Sequence, residues 1–179
     1  TPKPYRERFT EDSGPVPYNF IRNSLQQLTK SWNDESLAEY YLSFEHTNEP
    51  ETIRKISKGI LKQNPSSFRL YHAYALIENS RGNRKIAEDI FTTALNMRKN
   101  YEHSELDNSV IILWKSWIWI CLEEKNCLTA LKYILCITDG IPDLTISISS
   151  TTILRAKQHL ISKRECCLSR NTLFVLYSE

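Results

Sequence analysis

Among the residues suited to catalysis or metal binding, the four histidines are scattered along the chain. His46 ends a predicted helix and His103 falls in a polar connection, whereas His72 and His159 lie on predicted helices. Neither of the last two has Cys, Asp or Glu at the spacing that a metal site requires. For His72 the sequence therefore predicts a position on the surface or in a groove, and it gives little support to a catalytic base.

The cysteines form an odd set without a CxxC pair or the density of a disulfide framework; they are Cys121, Cys127, Cys136, Cys166 and Cys167. Such usage favours small buried apolar side chains in a reducing intracellular compartment. The chain also shows no glycine-rich phosphate loop, nucleophile elbow or paired carboxylates. We therefore predict a protein that is not an enzyme and that holds neither a cofactor nor a metal.

Basic residues are better functional candidates than the histidines or cysteines. The first group partly shares a helix face and consists of Arg54, Lys55, Lys58 and Lys62; the second consists of Arg155, Lys157, Lys163 and Arg164. Solvated helix faces would explain both groups, and a track for an RNA backbone is the sharper alternative. The net charge of +2 is too small to indicate nucleic-acid binding by itself.

Two helices joined by a tight turn are predicted between Leu70 and Leu95. The first carries packing residues at spacings of 0, 3, 4 and 7, namely Tyr71, Tyr74, Ala75 and Glu78. The second repeats that spacing with Ile86, Ala87, Ile90, Phe91, Ala94 and Leu95. Gly82 suits the left-handed position beyond a helix end, and Asn83 suits an N-cap. A pair this short cannot bury its own apolar faces, so neighbours must stack on it.

The same pattern recurs 33 or 34 residues earlier and 43 residues later in the chain. The earlier copy relates Tyr41, Glu45 and Leu61 to Tyr74, Glu78 and Leu95, and the later one relates Trp114 and Trp117 to Tyr71 and Tyr74. A helix-pair period near 34 residues is typical of an α-solenoid. We therefore predict an all-α fold, an α-α superhelix (right-handed solenoid) of about four TPR-like pairs, at about 33–62, 66–97, 107–138 and 150–179.

The predicted helical domain covers residues 18–179 and begins with a leading helix over 18–31. Residues 1–17 are Pro-rich and charged, which indicates an extended arm or linker. This arm is either a disordered tether or a docking arm that lays Tyr5 and Phe9 onto the domain. There is no apolar run of about 20 residues, so no membrane span is predicted. We expect the chain to be a fragment of a longer protein.

Several local expectations follow from the same patterns. Pro50 is predicted at the first position of a helix over 50–62, and Ser66 is predicted to cap the helix after it. The segment 110–122 is apolar nearly all round, which predicts that neighbours cover it on both sides. The alternating residues 146–150 are predicted to be a loop ending in an N-cap. The end, 171–179, is predicted to be a last helix or half of a pair.

The central pair resembles the half-a-TPR (HAT) repeat. The matching residues are Tyr71, Tyr74, Ala75, Glu78, Gly82, Asn83, Ala87, Ile90, Phe91, Ala94 and Leu95. Here Tyr71 replaces the usual Trp, and Glu88 stands where a basic residue commonly follows the Ala. HAT repeats occur almost wholly in RNA-processing proteins, so the resemblance implies a helical scaffold for other proteins.

A narrower resemblance links residues 33–163, and most specifically 64–97, to the NRDE-two (nuclear RNAi defective two) family. It implies a nuclear adaptor in RNA surveillance, silencing or splicing, with a DExH helicase complex and splicing factors as partners. The family's helicase-binding segment lies N-terminal to its HAT array and is not carried over to this chain. Scaffolds of splicing and polyadenylation complexes share the repeat and remain alternatives.

Three hypotheses therefore stand side by side: a protein-binding scaffold, an RNA-binding module and a homodimerising module. For partner binding, the candidates are Arg69, His72, Lys55, Lys58, Lys62, Tyr5 and Phe9. The motif residues Tyr71, Tyr74, Ala75, Glu78, Gly82, Asn83, Ala87, Phe91, Leu95, Trp114 and Trp117 are predicted to serve the structure of the repeats.

Overall fold

The computed structural model describes residues 17–32, 34–97 and 107–176, with side chains described throughout these ranges except at 107–109 and 166–176. Every regular element in these residues is an α-helix, which confirms the predicted all-α class. The chain divides into two compact units, Thr1–Met97 and Arg98–Glu179. The predicted arm with Tyr5 and Phe9, the connection 98–106 with His103, and the side chains of Cys166 and Cys167 lie outside the described residues.

The described residues of the first unit form five helices: α1 (Tyr18–Ser31), α2 (Glu35–Asn48), α3 (Ile53–Gln63), α4 (Phe68–Ser80) and α5 (Arg84–Met97). Helix α2 packs against α1, α3 and α4, and α4 packs against α2, α3 and α5. The pairs α2–α3 and α4–α5 are therefore stacked on each other within this unit. Fully buried Leu42, Ile53 and Leu70 join α2, α3 and α4 in one core.

Two of the expected helix starts differ from the structure. Pro50 is not the first residue of α3, because residues 50–52 form a turn in which the Thr52 N–H donates to the Glu49 carbonyl at 3.1 Å. The helix begins only at Ile53. Ser67 rather than Ser66 caps α4, since its Oγ accepts the N–H of Leu70 at 3.3 Å.

The turn between α4 and α5 has the predicted geometry. Gly82 adopts φ +80°, the Gly82 N–H donates to the Asn79 carbonyl, and the Asn83 N–H donates to the Glu78 carbonyl, both at 2.9 Å. This backward bonding across a left-handed residue is a Schellman closure. Asn83 directly precedes α5, and its backbone carbonyl accepts the N–H of Ala87.

The second unit contains α6 (Asp107–Glu123), α7 (Cys127–Cys136) and α8 (Ser150–Leu176), and α7 packs against both α6 and α8. The α6–α7 turn repeats the α4–α5 turn 43 residues later. Lys125 has φ +61°, and the Asn126 N–H donates to the Cys121 carbonyl at 2.9 Å. The backbone therefore confirms the 43-residue offset between the two helix pairs.

The core of this pair is aromatic. The ring centroids of Trp117 and Tyr133 are 4.2 Å apart, and Trp114 stacks on Trp117 at 6.3 Å. The expectation that α6 is covered on both sides is wrong. Ile111 and Ile112 are exposed and Trp119 is 60% exposed, because within the described part of this unit only α7 packs on α6.

The last segment is one continuous helix rather than a helix pair. Helix α8 runs for 27 residues, since no Gly or Pro interrupts residues 150–179. The predicted loop is confirmed over 146–149, and Ser149 caps α8 reciprocally: its Oγ accepts the Thr152 N–H at 3.2 Å, while Thr152 Oγ1 accepts the Ser149 N–H at 3.0 Å. The superhelix of about four pairs remains a prediction. No helix in the described residues has the combination of length and apolar character needed to span a membrane.

Candidate functional site

The most conspicuous charged residues of the first unit bind each other inside the fold. Arg54 of α3 donates from Nε and Nη2 to the two carboxylate oxygens of Glu78 of α4, each at 3.0 Å. Arg22 of α1 likewise donates from Nε and Nη2 to the two carboxylate oxygens of Glu45 of α2, at 2.7 and 3.1 Å. Both carboxylates are fully buried. Such bidentate pairs between neighbouring helices fix their register.

The Glu78 carboxylate is also the acceptor for the side-chain amide of Asn83, at 2.8 Å. Burial opposes its ionisation, but the hydrogen bonds from Arg54 and Asn83 outweigh burial and hold the pKa of Glu78 below its ordinary value. Burial, and then the nearby Glu78 charge, raise the pKa of Tyr74 to about 12. At physiological pH Glu78 therefore stays ionised and Tyr74 stays neutral, so the cluster is suited to structure rather than to proton transfer.

The residues of the repeat motif otherwise lie in the helical cores. Eight of the eleven are buried: Tyr74, Ala75, Glu78, Ala87, Phe91, Leu95, Trp114 and Trp117. Tyr71 and Asn83 are half-buried, and Gly82 lies exposed in its turn. None of the eight buried residues is therefore available to a partner.

Two predicted partner-binding residues, Arg69 and His72, lie on α4 where it packs beside α2. Arg69 donates from Nε to the carboxylate of Glu39 and from Nη1 to Ser36 Oγ at 2.9 Å. His72 is half-buried, and desolvation lowers its pKa. Further along the same helices, Ser80 Oγ and His46 Nε2 share a hydrogen bond at 3.1 Å. This face already joins α2 to α4.

Three predicted partner-binding lysines, Lys55, Lys58 and Lys62, are all exposed and lie at spacings of 3 and 4 residues along α3. That spacing aligns them on one side of the helix. Arg54, which the sequence grouped with them, instead turns to Glu78. In the second basic group, Arg155 is paired with Asp139.

A polar groove runs between α1 and α3, and sequence reasoning missed it. Its volume is about 440 Å³, and its cationic side chains are Arg22, Lys30 and Lys55. No carboxylate lines it among the described residues. The available signal is a polar stripe on each of the two helices, formed by Asn23, Gln26 and Lys30 and by Lys55, Gly59 and Gln63. We call this feature the basic groove.

The cysteines and histidines form no metal site in the part of the chain that the structure describes. Cys121 and Cys136 are buried as expected, but Cys127 is exposed because it begins α7. The thiol of Cys136 donates to the Asp143 carbonyl at 3.2 Å, and burial raises its pKa. A reactive thiolate is therefore not favoured at Cys136.

Tyr40 of α2 is exposed, whereas Tyr41 and Phe44 on the same helix are buried. Tyr40 lies beside the buried stripe of α2 and faces away from α1, α3 and α4. Helix periodicity alone does not distinguish such a position from the buried ones next to it.

Comparison with known proteins shows that the chain is similar to the Schizosaccharomyces pombe protein named Protein NRDE2 homolog. The two are 28% identical over 163 residues, which cover 86% of this chain but only 16% of the relative. No protein-family model matches the chain, and no solved structure matches it. The similarity supports the NRDE-two resemblance, and the chain spans about one sixth of that relative's length.

Proposed function

We propose that this chain is a non-enzymatic scaffold that binds partner proteins within a nuclear RNA-processing or RNA-surveillance complex. The observation that carries the proposal is that some charged residues join the helices of the fold, whereas others are exposed to a partner. The Arg54–Glu78 and Arg22–Glu45 pairs hold the helices together, whereas Lys30 and Lys55 of the basic groove are exposed on the surface. The chain thus presents a fixed helical framework with a recessed polar surface, as a protein-binding repeat requires.

The nuclear and RNA-related part of the proposal comes from similarity. The resemblance to HAT repeats implies RNA processing, and the similarity to the S. pombe protein supports the NRDE-two family. Partners of the kind implied are a DExH helicase complex and splicing factors. Silencing, splicing and polyadenylation scaffolds remain the alternatives within this class.

The test is retention of a purified DExH helicase complex or of purified splicing factors on the immobilised chain. We expect retention by the wild type and its loss in the double variant Lys30→Glu/Lys55→Glu, which reverses two exposed charges of the basic groove. Lys85→Glu on α5 is the matched control, because it reverses an exposed lysine outside the groove. Failure to retain either class of partner would count against the scaffold.

Arg69→Glu is a poorer probe than these lysines. It would place a second carboxylate beside Glu39 and break the contact between α2 and α4. A loss of binding in that variant would mix a surface effect with a packing effect.

RNA binding is a second candidate function, favoured by the shared exposed side of Lys55, Lys58 and Lys62. Three phosphate contacts to single-stranded RNA predict that the logarithm of affinity falls with the logarithm of salt with a slope of about −2. Changing all three lysines to Gln should remove most of that slope, whereas Lys85→Gln should leave it. If the triple variant keeps the wild-type slope, this side of α3 does not bind the RNA backbone.

A further inference from the structure

A second groove, distinct from the basic groove, lies in the second unit among α6, the end of α7 and α8. Its volume is about 290 Å³, and its walls are largely apolar, with Ile111 and Trp114 on α6 and Leu160 on α8. Ile111 is 44% exposed and Leu160 is 42% exposed. Apolar surface of this kind is left in contact with water, so covering it is favourable. We call it the apolar groove.

The charged side chains of the apolar groove all have one sign. Lys115 lines it from α6, and Arg164 lines it from α8. No carboxylate lines the groove among the residues that the structure describes there. The rim therefore favours an occupant that carries negative charge beside its apolar surface.

We propose that the apolar groove binds an acidic amphipathic helix of a partner protein. Such a helix presents apolar residues at spacings of 3 and 4, with carboxylates along its flanks. The groove is walled by helices, whose backbone groups are bonded internally, so it offers no edge for strand addition. Its largely apolar walls also favour a protein helix over RNA. This inference rests on the proposed scaffold function and names one of its binding surfaces.

The probe is a fluorescent synthetic helix of about 16 residues, about 24 Å long. It carries Leu on one face and Glu on the others, and a matched helix carries Lys in place of Glu. Binding to the whole chain is followed by fluorescence anisotropy. We expect the Glu helix to bind, and the Lys helix to bind at least about tenfold more weakly.

Charge reversal at the rim tests the site. The variant Lys115→Glu/Arg164→Glu should lose at least about tenfold in affinity for the Glu helix and should gain affinity for the Lys helix. Leu160→Asp should also weaken binding of the Glu helix, because it places a negative charge on the apolar wall. Lys157→Glu is the matched control: it is an exposed lysine of α8 that does not line this groove, and it should bind like the wild type. Circular dichroism checks that each variant keeps its helices.

Three results would overturn the inference. They are no binding of the Glu helix by the wild type, equal binding of both helices, and binding that the rim variant does not change. Light scattering adds a fourth: self-association that disappears in Leu160→Asp would identify the occupant as a second copy of this chain.

The inference and the proposed function can fail separately. If the rim variant still retains the DExH helicase complex or splicing factors while Lys30→Glu/Lys55→Glu does not, the scaffold stands and the apolar groove is not its binding surface. If the wild type retains neither partner but binds the Glu helix, the groove is real and the assigned partner class is wrong.

Discussion

Arg54 and Glu78 are joined by two parallel hydrogen bonds between helices α3 and α4, and the carboxylate lies wholly out of contact with solvent. The Arg54 side chain remains 43% exposed. Arg22 and Glu45 repeat this relationship between α1 and α2, so the α1–α2 and α3–α4 interfaces of the first unit each contain one bidentate pair. Each buried carboxylate is stable only while its arginine pairs with it, because an unpaired charge in the interior is strongly destabilising.

We expect Glu78→Gln to lower the free energy of unfolding by about 1–3 kcal/mol at pH 7, because charge-assisted hydrogen bonds from Arg54 and Asn83 are lost. Urea unfolding followed by circular dichroism measures it. Glu88→Gln is the matched control: Glu88 also pairs with an arginine, Arg84, but within one helix and on the surface. It should change stability by no more than about 0.5 kcal/mol. Equal losses in the two variants would show that burial of the carboxylate is unimportant.

Acid should destabilise the chain partly through Glu78. Its pKa in the folded chain lies below the ordinary value of 4.5, so the unfolded chain takes up the proton first as pH falls. The stabilisation is therefore complete above about pH 4.5 and declines below it, down through the folded pKa. Unfolding free energies measured between about pH 5 and about pH 3 should fall less steeply in Glu78→Gln than in wild type. A parallel decline in both would assign the acid sensitivity to other carboxylates.

The helices and their turns were predictable because their signals are local. Periodicity locates the packing faces of α4 and α5, and the Gly82–Asn83 turn needs only a residue that tolerates positive φ. The 43-residue offset likewise predicts the α6–α7 turn, although Lys125 stands where the earlier turn has glycine.

The ion pairs and the grooves depend on packing between helices, and sequence spacing does not reveal it. Arg54 lies 24 residues before Glu78, and on α3 alone it resembles a member of the lysine face. Trp119 is exposed, but it lies in an apolar run of sequence. Which residues of that run are buried depends on the side of α6 that a neighbouring helix covers. The absence of a helix breaker after residue 163 was the unused signal that α8 continues.

Helix α6 offers a direct test of its buried side, because Trp117 is 2% exposed and Trp119 is 60% exposed on the same helix. Trp117→Ala should lower the free energy of unfolding of the second unit by about 3–5 kcal/mol, as it empties the site against Tyr133. Trp119→Ala should lower it by less than about 1 kcal/mol. Thermal melts of the helical circular dichroism compare them. Similar melting of both variants would mean that the buried side of α6 is assigned wrongly.

The two corresponding turns predict opposite effects of glycine. Gly82 has φ +80° with open space around an added Cβ, so Gly82→Ala adds backbone strain without a clash and should destabilise by about 1 kcal/mol. Lys125 holds the same left-handed position at φ +61°, so Lys125→Gly should relieve strain and stabilise by about 0.5–1 kcal/mol.

Gly59→Ala controls for the chemical change itself. It makes the same substitution as Gly82→Ala, but within helix α3 and with no atom within 4 Å of the new Cβ. Alanine is the better helix former, so this variant should gain about 0.5–1 kcal/mol. Urea unfolding of the three variants beside wild type separates backbone strain from substitution. If Gly82→Ala and Gly59→Ala shift stability in the same direction, the left-handed turn does not control the stability of the α4–α5 pair.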